Sequence, residues 1–589
     1  MERGRRDLED WRPVAAIPSL PITKRLERAA TSVRGINFVA SGGEVRVTWA
    51  ELHEDARVVA ASLQARGVAP GDHVAILGPT SRGLVTAIQG CWLAGAASMV
   101  LPLPMRMGSL EEFIAQTRGR IRHGDARLVL IDEALAPFYV TEPGDPPTVP
   151  LTNVLPGAAG APRPDAVQIP TPDPERLVIL QYTSGSTSEP KGVMIPDRVL
   201  GANLDGIAGA AEVTADVDVT ISWLPLYHDM GLVGLMALPM TTGMEHVQAA
   251  PTDFLAHPGH WMQWISDHRG TATAGPNFSW ALATRALRRM DGLDLSSMRV
   301  ALSGAEPIDP DAVEAFVAEA GRFGFRPGAV FCAFGMAELA IGGTFPPPMR
   351  GMVVDTVDRK VLETKGEAVP AEPSGDPDVD ALALRRVPLL GAAVPGLEMR
   401  VCDPASGATL PERIVGELEL RGTSVTPGYY KRPELDAGLF HDGWLRTGDL
   451  AYLVDGELAM CGRIKDVIIV GGRNVYPMDI ERAVAGVDGV RAGNVIAFGV
   501  EGYKGKESVV VVAEARIDPA DADAANVTAT AAALEDVRRH VHDRCVEVCG
   551  VPPRDVLLVA PGTLPKTSSG KLQRTKCREQ YLGESLTLL

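Results

Sequence analysis

Tyr182-Thr183-Ser184-Gly185-Ser186-Thr187-Ser188-Glu189-Pro190-Lys191-Gly192 directly follows the apolar run Leu177–Leu180, so it reads as a loop leaving a buried strand. Such a loop suits phosphate. Small residues let backbone N–H groups approach a polyanion, Ser184, Ser186 and Thr187 supply hydroxyl donors, and Lys191 adds a mobile positive charge. A flexible Ser/Gly/Thr linker has a similar composition, but the preceding buried strand and the Pro-Lys-Gly ending argue against one. A Walker A loop is disfavoured, because that motif sets a Ser or Thr directly after its Lys, whereas Gly192 and Val193 follow Lys191.

Outward from this loop, the 589 residues exceed what one hydrophobic core supports, so at least two domains are expected. Hydrophobic residues make up 46% and charged residues 22%, as in an ordinary soluble globular protein. The formal net charge of -17 argues against a nucleic-acid partner, which would demand clustered Lys and Arg. Met1–Pro13 carries charge with no following apolar segment, and no run of eighteen or more apolar residues occurs, so a cytoplasmic chain without a transmembrane segment is expected. Seven scattered Cys form no CxxC pair, which disfavours disulfides and structural zinc; Cys545 and Cys549 read as two small core residues on one helical face.

The early chain alternates helical and strand patterns. Thr48 and Glu51 form a capping box ahead of Leu52, Ala56, Val59, Ala60 and Leu63, the strand His73–Leu77 follows, and the apolar segment Leu84–Leu101 is interrupted by Gly90 and Gly95. This is α/β behaviour. Pro and Gly cluster at 142–175 and 366–377, which read as surface linkers or insertions outside the core. At 417–421, Leu418 and Leu420 alternate with polar residues as in a half-exposed strand. From Val467 a separate α+β pattern begins: strand 467–470, helix 478–484, strands 494–500 and 508–514, and a long helix over 531–548. The expected division is a large domain over 1–462, a hinge at 463–466 and a small domain over 467–589.

The glycine-rich loop resembles, almost residue for residue, the YTSGSTxxPKG signature of the adenylate-forming superfamily, which comprises acyl-CoA synthetases, firefly luciferases and nonribosomal peptide synthetase adenylation domains. Five further runs resemble that superfamily's motifs in order. Leu224-Pro225-Leu226-Tyr227-His228-Asp229-Met230-Gly231 resembles its helix-opening motif, where His228 would help orient the substrate carboxylate; alone, a core or capped histidine is the commoner reading. Ser303-Gly304-Ala305-Glu306-Pro307 lies where members hold adenine, a weak signal by itself. Phe334-Gly335-Met336-Ala337-Glu338 is similar to Tyr-Gly-x-Thr-Glu, with Phe for Tyr and Ala for Thr, the latter removing one hydroxyl.

Leu445-Arg446-Thr447-Gly448-Asp449-Leu450 followed by Gly462-Arg463-Ile464-Lys465-Asp466 resembles the ribose-binding and hinge run, and Pro565-Lys566-Thr567-Ser568-Ser569-Gly570-Lys571-Leu572 the C-terminal catalytic motif. The resemblance implies a large multi-sheet AMP-binding domain, a small mobile α+β domain, and ATP and Mg²⁺ as cofactors. It implies nucleotide contacts from Thr183, Ser184, Gly185, Ser186, Thr187, Lys191, Gly304, Ala305, Glu306, Phe334, Gly335, Met336, Asp449 and Arg463. Thr187 and Glu338 would serve magnesium, Lys465 the hinge, and Lys571 with His228 catalysis.

The Leu-Tyr-His-Asp run, Gly304–Pro307, the Ala337-Glu338 pair and Gly472–Glu481 resemble the fatty acyl-AMP ligase branch. So does the interval of 111 positions from Glu338 to Asp449, which contains Val357-Asp358-Arg359 and the Pro-rich stretch. In that branch an insertion here hinders the rotation that admits coenzyme A, and the acyl group passes to an acyl carrier protein, commonly of a polyketide synthase. Gly275-Pro276-Asn277-Phe278 is similar to its acyl-tunnel segment, with Gly275, Asn277 and Phe278 as tunnel residues. The expected activity is ATP-dependent conversion of a fatty acid to an acyl-adenylate with release of pyrophosphate. The alternative is a long-chain acyl-CoA synthetase. More remote is an inactive acyl- or nucleotide-binding protein, disfavoured because Lys191, Glu338, Asp449, Arg463 and Lys571 are all present.

Overall fold

The computed structural model describes residues 19–40, 42–103, 110–182, 191–502, 507–516, 527–567 and 570–589. Thr183–Pro190 of the glycine-rich loop, including the expected phosphate ligands Thr183, Ser184, Gly185, Ser186 and Thr187, and Ser568 and Ser569 lie outside them.

Two mainly parallel sheets form the large unit. One runs in the order Thr148–Pro150, Ala126–Ile131, His73–Leu77, Ala97–Val100, Leu177–Tyr182, Gly192–Pro196, and only its last pair is antiparallel. The other runs Val330–Cys332, Val300–Ser303, Ala272–Gly275, Val219–Ser222, Glu245–Ala249, Gly35–Ala40, Gly43–Thr48, again with one antiparallel pair at its end. Strands covered on both faces read as continuous apolar runs, and all five residues of His73–Leu77 are buried.

The capping box forms as expected. The Thr48 hydroxyl accepts from the Glu51 N–H and the Glu51 carboxylate accepts from the Thr48 N–H, opening the helix Trp49–Ala65. This helix packs on Arg82–Ala94. Gly90 permits the approach: a Cβ there would lie 2.5 Å from Val59 Cγ1 and 3.2 Å from the Ala56 carbonyl oxygen. Gly95 ends the second helix in the left-handed conformation at φ 79°.

An antiparallel sheet follows, built from Leu397–Cys402, Gly416–Gly422, Trp444–Val454 and Glu457–Arg463. Here one expectation fails. Leu418 and Leu420 are buried, but so are Glu417 and Glu419, at 3% and 2% exposure. Arg446 pairs with Glu417 and Arg400 with Glu419, and these ion pairs take the place of water on the polar face. The Pro/Gly stretches also contribute to the core, contrary to expectation. Val154, in a short 3₁₀ turn, and Ala368 are both buried, because the turns that carry them fold back onto neighbouring helices and strands.

The small unit sets the hairpin Ile468–Val470/Arg473–Val475 beside a sheet of Val490–Glu501, Glu507–Ala515 and Asp555–Val559, with helices Pro477–Ala485, Val527–Cys549 and Arg574–Leu582. It has its own apolar core, in which Cys545 and Cys549 stand with sulfurs 3.8 Å apart; all seven cysteines are buried and unbridged. No described helix is long and apolar enough to cross a membrane.

Where the two units meet, the antiparallel pair Val354–Asp358/Leu384–Pro388 and the helix Arg359–Lys365 touch both. Arg386 pairs with Asp311 and Glu314 on the large unit's helix Pro310–Gly321. Its neighbour Arg385 faces the other way, 3.3 Å from Asp479, 4.2 Å over the Tyr476 ring and 2.7 Å from the Cys461 carbonyl oxygen. Glu363 accepts from Arg473 at 3.0 Å. Val357, Leu362, Val387, Tyr452, Cys461 and Tyr476 close an apolar cluster between these pairs. Arg385 and Asp479 are each 4% exposed, so separating the units would strand both charges unless water reached them.

The close helix approach predicts that Gly90→Leu lowers stability by about 1–3 kcal/mol through overpacking, read by denaturant or thermal unfolding, with Val59→Ala in the same chain recovering part of the loss.

Candidate active site

A continuous cavity of about 2940 Å³ runs from the mouth between the two units into the large one. Chemistry-bearing residues from distant parts of the chain meet at its junction. The strand Val219–Ser222 ends just before Trp223–Pro225, and the chain then turns so that Asp229 caps the π-helix Met230–Ala237, its carboxylate accepting from the Met230 N–H at 2.8 Å. His228 is therefore pinned: Nδ1 lies 2.7 Å from the Asp229 carboxylate, which leaves Nε2 facing the cavity.

Lys571 arrives from the other unit, with Nζ 3.4 Å from His228 Nε2. It sits on a tight turn where the Thr567 N–H donates to the Lys571 carbonyl and the Thr567 hydroxyl accepts from the Lys571 N–H. Gly570, at φ 88°, supplies the left-handed residue this turn requires. Burial pushes the Lys571 ammonium below the usual lysine range, opposed by the nearby carboxylates Asp229 and Glu306. Burial also raises Glu306, against the attraction of Lys571 and N–H groups donated by Phe278 and Asn277. Asp229 is raised by burial too, but His228 and Lys571 outweigh that effect and hold it below the usual carboxylate range.

Around this centre the cavity wall includes Gly304, Ala305, Phe334, Gly335 and Met336, with Ala305 at φ 68° in the turn after the strand Val300–Ser303. Glu338 also lines it, accepting from the Tyr429 hydroxyl at 2.6 Å, and burial raises its carboxyl. Lys191 stands 5.6 Å over the same Tyr429 ring. Tyr429 was not among the expected site residues. It lies 91 positions beyond Glu338 in no recognised run, so only folding reveals it.

Asp449 and Arg463 face each other across the hairpin Trp444–Val454/Glu457–Arg463, 3.2 Å apart. Burial raises the Asp449 carboxyl to about 6, with Arg463 opposing the rise. Lys465, two residues on, lines the cavity and is lowered by burial and by Arg463. Asn277 and Phe278 line the wall, and Gly275 does not. A Cβ there would meet Ser279 Oγ at 2.3 Å and Trp261 Cη2 at 2.9 Å, so its missing side chain admits a neighbouring indole and the residue is a packing glycine behind the wall. Among the described residues no group of three or more His, Cys, Asp or Glu could hold a metal by itself.

Residues 26–430 match the profile of the AMP-binding enzyme family. The chain is 35% identical over 570 residues to a putative acyl-CoA synthetase of Caulobacter vibrioides, covering 95% of each. It is 31% identical over 611 residues to the long-chain-fatty-acid--AMP ligase FadD26 of Mycobacterium marinum, covering 98% of each. A solved structure from studies of fatty acyl-adenylate ligases of E. coli and L. pneumophila superposes with a TM-score of 0.86 at 30% identity, over 97% of this chain and 98% of that one.

Two expectations follow from the geometry. Lys571→Ala removes the only ammonium described beside His228 and should lower acid-dependent pyrophosphate release on the order of 100-fold to 1,000-fold, measured in single turnover. Because the folded-state pKa of Asp449 lies above its unfolded value of 3.8, its ionisation costs stability, and that cost appears as pH rises through about 6. Asp449→Asn should therefore raise the thermal midpoint of the ligand-free protein more at pH 8 than at pH 4.5, while weakening nucleotide binding.

Proposed function

The chain belongs to the AMP-binding enzyme family, and from that premise we propose that it is a fatty acyl-AMP ligase whose acyl-adenylate is handed to the phosphopantetheine arm of an acyl carrier protein, such as that of a polyketide synthase. The observation that carries the reading is Lys571 beside His228, Asp229 and Glu306 at the junction of the cavity. In this reading the substrate carboxylate attacks the α-phosphorus of ATP and pyrophosphate leaves, so the protein needs no nucleophile and acts by positioning and neutralising charge.

Each group has a role in that step. His228, held by Asp229, orients the carboxylate. Lys571 bridges carboxylate and α-phosphate, covering the charge that develops there. Its lowered pKa sharpens the requirement: ionisation is sustained by Asp229 and Glu306 and reinforced by the arriving phosphates. Asp449 and Arg463 take the ribose hydroxyls; Gly304, Ala305, Phe334, Gly335 and Met336 surround the adenine; and Lys191, with the loop from Thr183, meets the β- and γ-phosphates. The hinge is placed at 463–466, around Lys465. Glu338 lines the cavity and, with the Thr187 hydroxyl, would hold magnesium, since Mg²⁺ at nucleotide sites needs only one or two protein ligands. It would neutralise charge on the leaving pyrophosphate. The reaction is placed in the cytoplasm, where ATP is available.

The acyl-CoA synthetase alternative keeps the same first step and differs in the acceptor. Acceptor exchange in that alternative requires the small unit to swing away. The junction between Glu363, Arg385 and Arg386 and their partners on both units opposes that swing, which favours the carrier-protein reading.

The purified protein, given ATP, Mg²⁺ and labelled dodecanoic acid, is expected to accumulate acyl-AMP that coenzyme A does not consume and a phosphopantetheinylated carrier protein does, with products resolved by chromatography. Acyl-CoA formation by the unaltered chain would overturn the acceptor assignment. If the junction restrains the swing, Glu363→Ala with Arg386→Ala should release measurable acyl-CoA.

A further inference from the structure

Beyond the reacting centre the cavity continues as a tunnel whose walls differ in what they leave open. One wall is the seven-stranded sheet. Thr220, Ala272, Thr273, Ala274, Val300 and Leu302 line it, while Ile221 and Ala301 turn to the opposite face. Alanine at 272 and 274 keeps that wall low. The facing wall is the π-helix Met230–Ala237 and the residue after it, from which Met230, Gly234 and Leu238 line the cavity at four-residue spacing, near one π turn. A Cβ built on Gly234 meets no atom within 4 Å, so any side chain there would grow into the bore.

At the end away from the reacting centre the lining is a set of polar groups that pair with one another. Arg299 donates to both oxygens of Asp218, at 2.6 and 2.5 Å, and to the Ala211 carbonyl at 2.7 Å; the Thr271 hydroxyl donates to Asp218 at 2.8 Å. Arg299, Asp218 and Ala211 all line the cavity, and the Asp218 side chain is 1% exposed. Pushing an acyl terminus through this plug would break an ion pair whose carboxylate is buried.

From Gly304, beside the reacting centre, to Arg299 is five residue steps spanning the strand Val300–Ser303, roughly 16 Å at ~3.3 Å per residue. An extended hydrocarbon of ~1.5 Å bonds advances about 1.25 Å per carbon, so this depth holds about 13 carbons. Resting on the acyl-AMP ligase reading above, we infer that the tunnel is a closed ruler for unbranched fatty acids of about 12–14 carbons, with the Arg299–Asp218 plug as its stop and Gly234 setting its bore.

The test is acyl-AMP formation across saturated acids from hexanoic to eicosanoic by the intact chain and by Gly234→Leu and Ala272→Leu, which narrow the tunnel from opposite walls. The unaltered chain is expected to peak near dodecanoic to tetradecanoic acid and to lose at least tenfold in kcat/KM at eicosanoic acid. Both variants should lower the ratio of tetradecanoic to octanoic acid turnover by at least tenfold, while ATP still raises their thermal midpoint as in the parent. An undiminished rate with eicosanoic acid, or an unchanged chain-length ratio in both variants, overturns the ruler. Absence of acyl-AMP with every acid in the unaltered chain overturns the ligase reading instead, so the two failures are distinct.

Discussion

A buried cation supplied by one part of the chain and compensated by another is the constraint on which this molecule turns. Lys571 belongs to the small unit, but its counter-charges, Asp229 and Glu306, belong to the large one. Withdrawn from water, the ammonium is disfavoured; placed between two carboxylates it is sustained. On the mechanism proposed above, closure of the two units and assembly of the reacting centre are one event, because the position that pairs Lys571 also presents it to His228. The raised Asp449 follows the same logic. A carboxylate held largely dry is costly in the empty protein and ready to accept hydrogen bonds in the occupied one.

The large unit provides a frame stiff enough to hold this geometry. His228, Ala305 and Asn277 all lie just past the C-terminal ends of neighbouring strands in the seven-stranded sheet, whose parallel register converges their turns on one opening. Crevices outside the carboxyl ends of parallel strands are the usual place for ligands in such sheets. The antiparallel hairpin carrying Asp449 and Arg463 reaches the same opening from the other side.

Much of this was legible in the amino-acid order, for identifiable reasons. His73–Leu77 reads as a strand because burial on both faces makes it uniformly apolar, and the helix from Trp49 announces itself through Thr48 and Glu51. The motifs at His228, Glu338, Asp449 and Lys571 are local runs, so they survive reading one residue at a time. What stayed hidden depends on distant partners. Glu417 and Glu419 look solvent-facing until Arg446 and Arg400 are brought opposite them. Tyr429 has no local signature and earns its place only by meeting Glu338. Gly275 and Gly234 are equally silent as letters, yet one missing side chain is filled by Trp261 and the other opens on empty space.

The Arg385–Asp479 pair bears on the modularity of the protein. Adenylating enzymes invite treatment as two separable parts joined at a hinge, but a small unit severed here would expose Tyr476 and Met478 and leave Asp479 without its guanidinium, while the remaining large unit would keep Arg385 without its carboxylate. Each fragment would carry an apolar scar and an orphaned charge. Exchanging the small unit for that of a relative therefore demands that the hairpin at 354–388 travel with it, so that the heritable module is defined by the junction and not by the hinge.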